Sequence, residues 1–181
     1  AGIYAPRHAG TYALPAAIYD RLGKEMAEQI AYAIAADITS SLGMSVEEHW
    51  QNIAAGRQGF DIYGNNGQSY CAARLSDKQW ATVYSTVGDE RLTRFERLCL
   101  YSAAKALLKI PAPDLSETVL ILSTTKGNID RLNEDADQRT LLHTSAAIIA
   151  KELRIKSKPV VVSHACVSGS VALLYAQRLL A

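Results

Sequence analysis

Apolar positions along this chain form two kinds of run. Val119-Leu120-Ile121-Leu122 and Pro159-Val160-Val161-Val162 are short and unbroken, the pattern of strands buried on both faces of a parallel sheet. Ile30 to Ile38, apolar and small throughout, reads as a further strand near the start. Between these lie stretches with helical spacing. Ser45 with Glu48 predicts a capping box and a helix to about Ala55, closed by Gly56 and Gly59. Ser76-Asp77 caps a short helix to about Val87. Thr93 with Glu96 opens another through Leu98, Leu100, Ala104 and Leu107, stopped by Pro111 and Pro113. A long helix is predicted from about Asn133 to Leu153, with Leu142, Ala146, Ile149 and Leu153 on one face. Gly64-Asn65-Asn66-Gly67 marks a turn between short strands around Ile62 and Ala72. Strands alternating with helices of this length predict an α/β layer with a mainly parallel sheet.

Composition narrows the class without naming an activity. The 181 residues are one domain's worth, and 49% hydrophobic with 20% charged residues is ordinary for a soluble globular protein. A formal net charge of +1 gives no electrostatic case for nucleic acid or for a membrane surface. No stretch has the apolar length of a membrane span, and the start lacks the apolar core of a secretion signal. Cys71, Cys99 and Cys166 are odd in number and far apart, which suggests neither a disulfide framework nor a zinc site and fits a reducing cytoplasm. His49 and His143 have no second ligand at metal spacing, so no metal site is predicted. No cofactor is implied.

The candidate chemistry centres on Cys166. It follows the Val160-Val161-Val162 strand, and Ser168-Gly169-Ser170 then open an apolar helix from Val171 to Leu180. A cysteine at such a strand-to-helix turn faces unpaired N–H groups and a partial positive charge, which favours the nucleophilic thiolate. The bland alternative is a small hydrophobe packed at a strand end. His164 lies two residues earlier, so an extended strand would put both side chains on one face, aimed in parallel rather than toward each other, which favours a satisfied structural histidine over a base. Thr124-Thr125-Lys126-Gly127-Asn128 follows a strand, yet it lacks the spacing of a phosphate loop. Cys99 reads as core and Cys71 as strand packing.

Taken together, Ala165-Cys166-Val167-Ser168-Gly169, the Ser40-Ser41-Leu42-Gly43 and Glu47-to-Ile53 segments, and Ser123-to-Asp130 resemble, in order, the β-ketoacyl-acyl-carrier-protein synthases. The resemblance covers about residues 30 to 181 and reaches the N-terminal half of such an enzyme. It implies a thiolase-like α/β fold and a condensing acyltransferase of fatty acid or polyketide biosynthesis, with Cys166 holding the acyl chain as a thioester and its backbone N–H serving as an oxyanion donor. It places Thr125, Lys126, Gly127 and Asn128 near the acyl pocket and dimer interface; His164, beside the nucleophile, joins them as a candidate substrate-binding residue. Acyl carrier protein, acyl and malonyl thioesters, and a homodimeric or heterodimeric ketosynthase partner are the implied partners. The family's paired histidines and lysine belong to the C-terminal half, so the chain by itself is expected to be inactive and poorly covered on its sheet. The rival readings are a catalytically silent chain-length subunit, against which Cys166 argues, and a cysteine hydrolase using His164.

Residues 1 to 29 do not share the resemblance. Leu14, Ile18, Leu22, Met26 and Ile30 recur at every fourth position, which suits an added helix; alternatively Met26 starts the native protein, the reading we prefer here.

Overall fold

The structure, a computed structural model, describes residues 31–65, 67–132 and 138–180. The helix expected across Leu14 to Ile30, the start at Met26 and the first part of the long helix expected from Asn133 all lie outside the described residues.

Five α-helices and two small sheets make a mixed α/β arrangement among the described residues. Helix α1 spans Val46–Ala54, α2 Asp77–Thr86, α3 Arg94–Leu107, α4 Leu142–Glu152 and α5 Ser168–Leu179. Strands β1 (Asp61–Asn65) and β2 (Gln68–Ala72) form an antiparallel hairpin, with Ile62 opposite Cys71 and Tyr63 opposite Tyr70. Strands β3 (Ile121–Ser123) and β4 (Val160–Val162) run parallel, pairing Ile121 with Val160 and Ser123 with Val162. Helix α4 packs on β4, and α5 packs on both strands. The core lies where α3, α4 and this pair meet: Leu92, Leu100, Leu122, Ala146 and Ile149, with Cys99, Leu120 and Val161 packed against them.

Local signals set the helix starts. At α2 the Ser76 Oγ accepts from the Gln79 N–H at 3.3 Å, and the Gln79 Oε1 accepts from the Ser76 N–H at 2.8 Å, a reciprocal capping box. Thr93 and Glu96 make the same exchange at α3, at 3.2 and 2.9 Å. At α1 only half the expected box forms. The Ser45 Oγ accepts from Glu48 N–H at 3.1 Å, but the Glu48 carboxylate takes the Met44 N–H at 2.6 Å instead of the cap residue's own.

Two expected elements differ. Residues 31–39 carry no regular strand. The segment contains Asp37, whose side chain is 1% exposed and lies 3.2 Å from Lys105 Nζ and 3.8 Å from Lys109 Nζ, both at the end of α3 or just past it. Charge pins this run to a helix face, and Tyr32 and Ile34 stay exposed. The described part of the long helix begins only at Leu142, after a 3-10 turn over Gln138–Thr140. The parallel sheet among the described residues is therefore a two-stranded pair.

Candidate functional site

In open α/β structures, functional groups gather beyond the carboxyl ends of parallel strands. Here that edge carries two loops. The loop after β3 runs through Thr124 to Asn128, and the one after β4 through Ser163 to Val167. They are tied at the start, where the Thr124 N–H donates to the Val162 carbonyl at 3.1 Å.

The Cys166 loop is a strained turn. Strand β4 stops at Val162, and Ala165–Val167 form a 3-10 turn that leads into α5. Ala165 has φ +47°, left-handed for a residue with a Cβ, a conformation that persists only where the surroundings enforce it. Ser168, the first residue of α5, supplies that enforcement. Its buried Oγ accepts from the His164 N–H at 2.8 Å and donates to the Ala165 carbonyl at 2.8 Å, bracketing the turn from both sides. Cys166 is left exposed at the crest, just ahead of the helix rather than in its first turn.

This geometry replaces the extended strand expected for His164 and Cys166. The backbone turns between them, at Ala165, so they do not share a strand face. The His164 ring is exposed and forms no hydrogen bond among the described residues.

The loop after β3 is held just as locally. The Thr124 Oγ1 accepts from the N–H groups of Lys126 and Gly127 at 3.2 and 3.1 Å. Thr125 and Lys126 stay exposed at its tip. Gly127 has φ +52°, a conformation that favours glycine, and a Cβ there would lie 2.5 Å from the Leu142 Cδ2 methyl, which would have to swing aside. Asn128 is 1% exposed and turned inward. Its Nδ2 donates to the Arg139 carbonyl and the Ser145 Oγ, both at 2.9 Å, with the Glu96 carboxylate at 3.5 Å. The structure thus brings Thr125, Lys126, Gly127, His164 and Cys166 to one edge, and directs the Asn128 amide away from it.

Beneath the loop lies a polar cluster that sequence patterning does not reveal. Glu96 is 0% exposed; it accepts from Thr93 N–H at 2.9 Å and Ser145 Oγ at 3.0 Å, and it pairs with Arg139 at 3.2 Å. The capping box announces only the first of these bonds. The α4 partner, Ser145, sits in an otherwise apolar helix face and gives the one hint.

The other cysteines and the histidines divide cleanly. Cys99, on α3, is packed against the core, where burial, and secondarily the nearby Glu96 charge, push its thiol up to about 12. Cys71 is exposed on β2 rather than packed, because the hairpin offers it no covering layer. His49 is buried and structural, with Nδ1 at 2.7 Å from the Ser45 carbonyl and Nε2 at 2.7 Å from the Ser40 Oγ. No cluster of three or more metal-ligating side chains occurs among the described residues, and no helix among them is long and apolar enough to cross a membrane. No protein-family model matches this chain, and no curated protein matches it.

Proposed function

We propose that Cys166 is the acyl-accepting nucleophile of a β-ketoacyl-acyl-carrier-protein synthase, and that this chain supplies the nucleophile-bearing half of that thiolase-like enzyme. The observation that carries the reading is an exposed thiol on a strained, serine-latched turn at the carboxyl end of a parallel strand. A nucleophile so presented is accessible to a thioester and is held in one geometry before substrate arrives.

In the proposed reaction the Cys166 thiolate adds to the acyl thioester carbonyl, and the carrier thiolate leaves and takes up a proton. The Cys166 N–H acts as an oxyanion donor in this step. Malonyl-carrier protein then loses carbon dioxide, and the electron pair of the broken bond forms the new carbon–carbon bond at the acyl carbonyl. Cys166 leaves as thiolate, restoring the starting state. Residues that promote decarboxylation are assigned to the second half, along with a homodimeric or heterodimeric partner and a cytoplasmic setting. The exposed Leu173, Leu174 and Leu179 of helix α5, with Leu180 just past its end, support this arrangement as an apolar surface that a second half could cover.

Intact-mass analysis of the chain after incubation with an acyl thioester tests the reading. One acyl adduct should form, map to Cys166 and vanish in Cys166→Ala, without condensation in the absence of the second half. Equal acylation of Cys71 would refute it. Turnover of the thioester that is lost in His164→Ala would assign the site to a hydrolase instead.

A further inference from the structure

A cavity of about 730 Å³ opens between the β1–β2 hairpin, the start of α2 and the start of α3. Its chemistry differs from that of the Cys166 turn. Tyr63, Arg74, Trp80 and Arg94 line it, with Asp77 as the carboxylate among its walls.

Both arginines are oriented by aromatic rings. The Arg74 guanidinium carbon lies 4.4 Å from the Tyr63 ring centroid and 5.4 Å from that of Tyr70. That of Arg94 lies 5.0 Å from the Trp80 ring, and Trp80 in turn packs on Tyr84 at 5.5 Å. Contact with a ring face fixes the plane of a guanidinium while leaving its N–H edge available. Each arginine spends one donor on a phenol: Arg74 on the Tyr70 hydroxyl, and Arg94 on that of Tyr84 at 3.4 Å. Neither pairs with a carboxylate among the described residues, Asp77 included. Arg97, on the same helix, shows the contrasting case. It stacks on Tyr84 too, but it is buried and donates to the carbonyls of Leu92 and Val87, a purely structural use.

Two pre-oriented guanidiniums with unspent donors, set against a single carboxylate in a cavity of small-molecule size, form a receptor for a planar or tetrahedral anion. We propose that this cavity binds a phosphate group of a small molecule through Arg74 and Arg94, with Trp80 at its wall. The inference does not depend on Cys166.

Trp80 makes the site directly readable. In the 181-residue chain carrying Trp50→Phe, a substitution at an exposed position, Trp80 is the remaining tryptophan. Titration with inorganic pyrophosphate and, separately, with adenosine monophosphate at constant ionic strength should change its fluorescence saturably with at least one of them. A response to the nucleotide alone identifies an organic phosphomonoester as the ligand type; a response to pyrophosphate alone identifies an inorganic anion. Arg74→Gln and Arg94→Gln should each weaken binding by about tenfold or more, as expected for loss of a charge-assisted bond. Arg74→Lys and Arg94→Lys keep the charge and guard against misfolding, and they should still weaken binding because lysine cannot reproduce the fork. No saturable response to either probe, or equal binding in the glutamine variants, overturns the proposal.

Discussion

Replacing Glu96 with alanine should be among the most destabilising single changes in the described fold. The carboxylate is fully enclosed and joins three segments: it accepts from Thr93 at the start of α3 and from Ser145 on α4, and it pairs with Arg139 in the connection before α4. Removing it leaves the Thr93 N–H without its capping acceptor. It also leaves Asn128 Nδ2 short of one partner and removes the Glu96 carboxylate from beside the Arg139 guanidinium. Breaking a buried pair by deleting one member costs roughly 3–5 kcal/mol. The Arg139 side chain is 24% exposed, so water recovers part of its charge and the low end, about 3 kcal/mol, applies. At about 2–4 °C per kcal/mol for a chain of this size, Tm should fall by about 6–12 °C. Glu96→Gln preserves volume and one acceptor and should lose less. Chemical denaturation followed by far-ultraviolet dichroism measures both, and a cycle with Ser145→Ala should show coupling of at least about 0.5 kcal/mol. A Glu96→Ala loss below about 1 kcal/mol, or strict additivity with Ser145→Ala, would refute the claim that this cluster holds α3, α4 and the Asn128 loop together.

Three further outcomes follow from the same geometry. Gly127→Ala should destabilise by about 1–3 kcal/mol, because φ +52° is strained for alanine and its Cβ would meet Leu142; shortening the neighbour in Gly127→Ala/Leu142→Ala should recover only the steric part, and denaturant midpoints decide this. Ser168→Ala should slow acylation of Cys166 while costing no more than about 1–2 kcal/mol of stability, since it frees the turn but leaves α5 packed; unchanged acylation kinetics would show that the latch is irrelevant to the thiol. For Cys99, the folded thiol keeps its proton to about pH 12 while an unfolded one loses it near 9.0, so the folded chain binds more protons between these values. Its contribution is fully present below pH 9 and is lost as pH rises toward 12, by at most about 1.4 kcal/mol per pH unit. Cys99→Ala should flatten that part of the stability curve, and thiol alkylation at pH 8 should leave native Cys99 unmodified.

Features encoded within a few residues were legible from sequence. The capping residues of α2 and α3 and the Gly64-to-Gly67 turn each depend on neighbours in the chain, so their patterns survive in any tertiary setting. For the same reason Cys166 could be placed between a strand and a helix. The α/β class followed from alternation of these elements, whereas the thiolase-like reading rests on resemblance and is tested through Cys166 acylation.

Tertiary structure decided whatever depends on partners distant in the chain. An apolar run becomes a strand only if another strand accepts its hydrogen bonds; residues 31–39 instead gave Asp37 to Lys105 and Lys109, about seventy positions away, and stayed irregular. Glu96 reads in sequence as a cap, and only the approach of α4 and the Asn128 loop turns its second oxygen into the centre of a buried cluster. Burial likewise separates Cys99 from Cys71, two thiols that composition counts alike. Sequence alone determined where Cys166 falls along the chain. Its presentation came from a left-handed Ala165 that the Ser168 hydroxyl stabilises from the next helix, a conformational choice that no residue pattern states because the intrinsic preference of alanine runs against it.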